Sequence, residues 1–151
     1  MGDRQPPSLI AALAACCVLA GCGTAGEAPR TYAASRDALP EPLTAVPGDA
    51  TRGREIVVGR DGACLLCHVI PASDERFMGN VGPPLAGVGA RFTAAQLRLR
   101  VADPRRVNPE AVMPSYYEAY GLSQVALPYR GKTLLTAQQI EDVVAYLATL
   151  R

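Results

Sequence analysis

A chain of 151 residues with a net charge of +1 has the length of one domain and offers no global basic field for nucleic acid. Nearly half of it is hydrophobic (49%), yet no apolar run is long enough to cross a bilayer. Five cysteines stand against a single histidine, and their positions organise everything that follows.

Residues Leu9 to Ala20 form an alanine-rich apolar run behind a short segment containing Arg4, the pattern of a signal peptide. The run ends in Leu19-Ala20-Gly21-Cys22, which resembles the lipobox of bacterial lipoproteins. Residues 1–21 are therefore expected to be cleaved as a lipoprotein-type signal. Cys22 is then diacylated and holds the protein at a membrane by lipid alone, in the periplasm. Ordinary cleavage at a nearby Ala-x-Ala-like site is the plainer alternative. Removing 1–21 takes away Asp3 and Arg4 and leaves the net charge at +1. Residues 22–47, rich in Ala, Pro, Gly and Thr and without periodicity, read as a tether that keeps the domain at 48–151 off the membrane.

The first helix is expected from Asp49 to Val58, capped by Asp49 or Thr51, with Ile56 and Val57 inward and Gly59 at its end. It leads into Cys64-Leu65-Leu66-Cys67-His68, two thiols three apart followed at once by an imidazole. This is the attachment signature of a c-type haem: the thiols reach the two porphyrin vinyl groups while the histidine faces the iron. A zinc site needs further Cys or His ligands, and His68 is the only histidine. A dithiol redox pair gives that histidine no role. One covalent haem c, held by Cys64 and Cys67 with His68 on the iron, is the expectation. With Cys16 and Cys17 leaving in the signal and Cys22 lipidated, no cysteine remains for a disulfide or a nucleophile.

A second helix starts after Thr93, whose capping box closes with Gln96; Leu97 and Val101 share a face and Pro104 stops it. The last helix carries a second capping box, Thr136 with Gln139, and apolar residues at Ile140, Val143, Val144 and Leu147. No strand pattern appears, so the domain is expected to be all-α. For the sixth iron ligand the candidates beyond the initiator are Met78 and Met113. Met113 lies in a proline-rich loop well downstream and is favoured. Met78, ten residues past His68, suits a core filler. Methionine opposite histidine raises the reduction potential and fills the coordination sphere, favouring electron transfer over oxygen chemistry.

The first helix with Gly53, the Cys64–His68 motif, Gly82-Pro83-Pro84-Leu85, Met113-Pro114 and a final helix with Val144-Ala145-Tyr146-Leu147 together resemble class I cytochrome c. The resemblance implies that Gly53 lets the first helix cross Tyr146 of the last. It also implies that the Pro83 carbonyl accepts the second ring proton of His68, and that Arg91 bonds a haem propionate. Over 48–151, Asp103-Pro104, Asn108-Pro109, Val112-Met113-Pro114-Ser115-Tyr116-Tyr117, Gly131-Lys132 and the run from Ala137 to Leu147 narrow the likeness further, to the SoxX family. These are the monohaem subunits of SoxAX cytochromes, which join thiosulfate to a cysteine of the SoxYZ carrier in bacterial sulfur oxidation. The resemblance implies a SoxA-like dihaem or monohaem partner that performs the chemistry. This chain then takes the electrons and hands them to a downstream cytochrome, as a non-catalytic subunit. Tyr116, Tyr117, Arg130 and Lys132 are candidates for the partner-facing rim, although aromatic residues near a haem more often line the pocket. A stand-alone tethered electron carrier without a sulfur substrate is the alternative, and a peroxidase would need an open iron position.

Overall fold

Asp49 starts the first helix: its carboxylate accepts from the backbone N–H of Thr51 (2.8 Å) and Arg52 (2.9 Å), satisfying two of the donors a helix start leaves open. Helix α1 then runs Ala50–Val58 and buries Gly53 and Val57. These coordinates are a computed structural model, and the structure describes residues 32–71 and 73–151. The expected signal peptide and Cys22 lie outside the described residues.

Three further helices follow: α2 Val88–Arg91, α3 Ala94–Ala102 and α4 Ala137–Thr149, with 3₁₀ turns at Cys64–Leu66, Pro104–Arg106 and Leu127–Tyr129. No strand occurs among the described residues, as the all-α expectation required. Both expected capping boxes form, Thr93 with Gln96 on α3 and Thr136 with Gln139 on α4. The single turn of α2 has no apolar periodicity to announce it. It is entered through Gly87 at φ 68, a left-handed conformation that glycine adopts without steric cost.

Helix α1 crosses α4 at a distance only glycine permits. A Cβ on Gly53 would lie 1.9 Å from the Asp142 carbonyl oxygen and 2.9 Å from the Tyr146 Cβ. The contact expected between Gly53 and Tyr146 is therefore present. Ile140, Val143, Val144 and Leu147 of α4 are buried with Leu97, Leu99 and Val101 of α3.

The tether expected over 22–47 needs correction from Tyr32 onward. Leu39 is fully buried and Leu43 is 4% exposed, both in the main core. The physical reason is a buried ion pair that binds backbone. Arg98 of α3 forms a two-bond fork with Glu141 of α4 (2.8 and 2.9 Å). The spare donor of Arg98 goes to the Leu39 carbonyl (2.7 Å), and Glu141 accepts from the Leu43 N–H (2.8 Å). The Leu39 N–H in turn donates to the Ala95 carbonyl (2.9 Å). Segment 32–48 is thus a strap folded onto α3 and α4. Charges so far from water persist only when paired and fully hydrogen-bonded, and here the strap's backbone completes the pairing.

Candidate functional site

Between the helices lies a partly open cavity of about 580 Å³, lined mainly by apolar groups. Its lining includes Cys64, Cys67 and His68, and also Met113 from a segment 45 residues further on. Val57, Leu97, Val101, Val143 and Leu147 supply wall from α1, α3 and α4. The apolar stripes that pack these helices together thus also shape the cavity, whose volume falls in the range of cofactor sites.

The wall carrying the thiols is fixed by backbone. Ala63 adopts φ 49, and the Cys64–Leu66 turn follows, closed by the His68 N–H donating to the Cys64 carbonyl (2.9 Å). His68 lies half-buried with Nδ1 2.7 Å from the Pro83 carbonyl oxygen. A carbonyl can only accept, so Nδ1 carries the proton and Nε2 keeps its lone pair for a metal. Gly82 makes this approach possible: a Cβ there would stand 2.3 Å from His68 Cε1. Burial pushes the Cys64 thiol above its ordinary range, with the Tyr116 hydroxyl opposing the shift, so the free thiol is a poor nucleophile.

The two methionines are placed differently. Met113 lines the cavity, whereas Met78 is absent from its lining and its sulfur accepts the Ile70 N–H (3.2 Å). Arg91 also lines the cavity, its guanidinium donating to the carbonyls of Ala86 (2.6 Å) and Pro84 (3.2 Å). Two of its five N–H donors are thereby engaged. A second arginine, Arg100, joins it at the cavity, stacked 4.2 Å over the Phe92 ring. Nothing in the sequence singled out Arg100, since an arginine on a helix reads as a solvated face.

Tyr116 and Tyr117, candidates for a partner-facing rim or for pocket lining, are buried. The Tyr116 N–H donates to the Val101 carbonyl (3.3 Å) and the Tyr117 N–H to the Ala102 carbonyl (3.1 Å), which draws both residues inward beside α3. The Tyr116 side chain lines the cavity and its hydroxyl donates to the Gly62 carbonyl, tying the methionine segment to the thiol-bearing loop. Burial, and then the nearby Cys64, push the phenol well above its ordinary value. Arg130 and Lys132 are exposed as expected.

An apolar, partly open cavity with two thiols, an imidazole whose second nitrogen is committed, and a thioether has the donor set of a haem protein of the cytochrome c class. Residues 50–151 match the family model Cytochrome c, and the chain belongs to that family, whose members carry covalent haem c. Within it, the expected likeness to SoxX is borne out. A chain of the crystal structure of SoxXA from P. pantotrophus is 38% identical with a TM-score of 0.75, covering 82% of this chain and 96% of that one. Two other solved structures are more distant. The c-type cytochrome SorU from Sinorhizobium meliloti is 26% identical (TM-score 0.42; 67% of this chain, 88% of that one). Ferric cytochrome c-550 from Paracoccus versutus is 23% identical (TM-score 0.40; 69% and 98%). No curated protein sequence matches the chain.

Proposed function

We propose that this cytochrome is the electron-transfer haem subunit of a SoxAX complex in thiosulfate oxidation, working beside a SoxA-like cytochrome. The observation that carries the reading is the convergence of Cys64, Cys67, His68 and Met113 on one apolar cavity. Cys64 and Cys67 would hold the haem as thioethers, and His68 and Met113 would bind its iron. A haem so ligated supplies a one-electron ferric/ferrous couple at raised potential. The chain's own residues do the rest. Pro83 fixes the His68 ring through Nδ1, the helices give the cavity its apolar wall, and Arg91, also in the lining, would answer a propionate charge. Joining thiosulfate to a thiol of SoxYZ forms one S–S bond and releases a proton and two electrons. A one-haem subunit therefore accepts them singly and passes each to a downstream cytochrome. The bond-forming step belongs to the partner, because the cysteines of the cavity are committed to haem. Residues 1–21 act as a lipoprotein signal and Cys22 as the lipid anchor, so the protein works in the periplasm at a membrane surface.

Isolation of the tagged full-length protein from cells grown on thiosulfate, with haem staining of what accompanies it, tests the assignment. A larger haem-bearing subunit in stoichiometric amount is expected. A monomer reduced equally well by unrelated donors would replace this reading with a stand-alone carrier. Cys22→Ser is expected to move the protein from the membrane fraction to the soluble one.

A further inference from the structure

Met113 has few ties of its own. Among the described residues the nearest hydrogen bonds on either side are from the Ala111 N–H to the Asn108 carbonyl (2.9 Å) and from the Ser115 hydroxyl to Asp103 Oδ1 (3.0 Å). Asp103 itself is firmly set. It is buried at the junction where α3 gives way to the Pro104–Arg106 turn, and its N–H donates to the Leu99 carbonyl (2.8 Å). Its other oxygen receives Arg106 Nε (3.2 Å) and, at 3.5 Å, the hydroxyl of Tyr32 from the strap. The next residue, Pro104, lines the cavity, as does Met113.

We propose that Asp103 is a positioning residue for the sixth ligand: through Ser115 it holds the Met113 loop closed on the cavity. The proposal rests on the reading of Met113 as an iron ligand. A thioether is a neutral ligand on a loop, so the fraction of time it is bound depends on how much of the loop is ordered beforehand. A hydrogen bond to a buried carboxylate, two residues from the sulfur-bearing side chain, supplies that order more strongly than a neutral one would. Tyr32 reaches the same carboxylate, so the start of the strap and the methionine loop share one anchor.

The test is the affinity of free imidazole for the ferric full-length holoprotein, since imidazole enters only when the methionine has left. Ser115→Ala and Asp103→Asn are expected to tighten apparent imidazole binding about tenfold, the loss of one charge-assisted hydrogen bond. Ser115→Thr, which keeps the hydroxyl, should restore the wild-type value. Arg106→Gln cuts the ion pair without touching Ser115 and should stay near wild type. An unchanged affinity in Ser115→Ala and Asp103→Asn overturns the proposal, and so does an equal shift in Arg106→Gln, which would report general loosening. Met113→Ala separates the two layers. If it loses the red-edge absorption band of iron–methionine bonding while Ser115→Ala binds imidazole like wild type, only the positioning role falls. If it keeps the band, the ligand reading falls and the positioning role with it.

Discussion

Gly53 of α1 and Asp142 of α4 meet backbone to backbone: a Cβ on Gly53 would sit 1.9 Å from the Asp142 carbonyl oxygen, and the two helices cross where no side chain intervenes. The same α4 residue reaches back with its carboxylate, accepting from Asp49 N–H (2.8 Å) and from the Arg52 guanidinium (2.8 and 2.9 Å). One position of the last helix therefore fixes both the depth and the start of the first. Gly53→Ala must push backbone against backbone, which no rotamer change relieves. It is expected to lower stability by about 1–3 kcal/mol or more, read as a falling denaturation midpoint. An unchanged midpoint would mean that the helices can part without cost.

The strap yields a second prediction. Glu141→Gln leaves the Arg98 charge buried and the fork with it incomplete, a change worth about 3–5 kcal/mol in comparable buried pairs. Limited proteolysis should then cut within 32–47 before the rest of the domain, whereas the parent protein resists there. Cleavage at the same rate in both proteins would show that the pair does not hold the strap.

Asp142 gives the fold a pH-dependent contribution. Its burial alone would raise the carboxyl pKa, but the Arg52 side chain, the Asp49 N–H and Gln138 outweigh it, and the net direction is down from 3.8. A carboxyl lowered in the folded state stabilises above its unfolded value, and that contribution is lost as pH falls through the folded one. Asp142→Asn should be less stable than wild type near neutrality, and the gap should narrow below about pH 4. A gap independent of pH would remove the charge from the explanation.

Gly82→Ala places a methyl group within 2.3 Å of the His68 ring. The imidazole must turn away from the Pro83 carbonyl or the 82–84 turn must shift. Reduced haem incorporation and an altered ferric spectrum are expected. A normal spectrum at normal yield would show that the turn is free to give way.

How far the fold was legible depended on whether its signals were local. The caps of α1, α3 and α4 are read within four residues, and each forms at its expected place. The strap escaped because Leu39 and Leu43 show no period and are held by Arg98 and Glu141, 59 and 98 residues away in sequence. At the site, the Cys64–His68 motif is contiguous and its reading as a haem signature was straightforward. Met113 could be ranked above Met78 only by its neighbourhood; in the structure Met113 lines the cavity and Met78 does not. For Tyr116 and Tyr117 the sequence leaves two readings, a partner-facing rim and the commoner pocket lining of aromatics near a haem. Their burial follows from backbone bonds to Val101 and Ala102 that no side-chain pattern announces. Asp103 is legible only as part of the Asp103-Pro104 pair that carries the family likeness, which says nothing of its bond to Ser115.

The central claim is that His68 and Met113, which line one cavity, would both bind the iron of a covalent haem and so favour electron transfer over oxygen chemistry. It is tested most directly by the red-edge absorption band of the ferric holoprotein, recorded for wild type, Met113→Ala and Met78→Ala. The account predicts a band in wild type that disappears in Met113→Ala and survives in Met78→Ala. A band that survives in Met113→Ala, or is absent from the wild type, would contradict it.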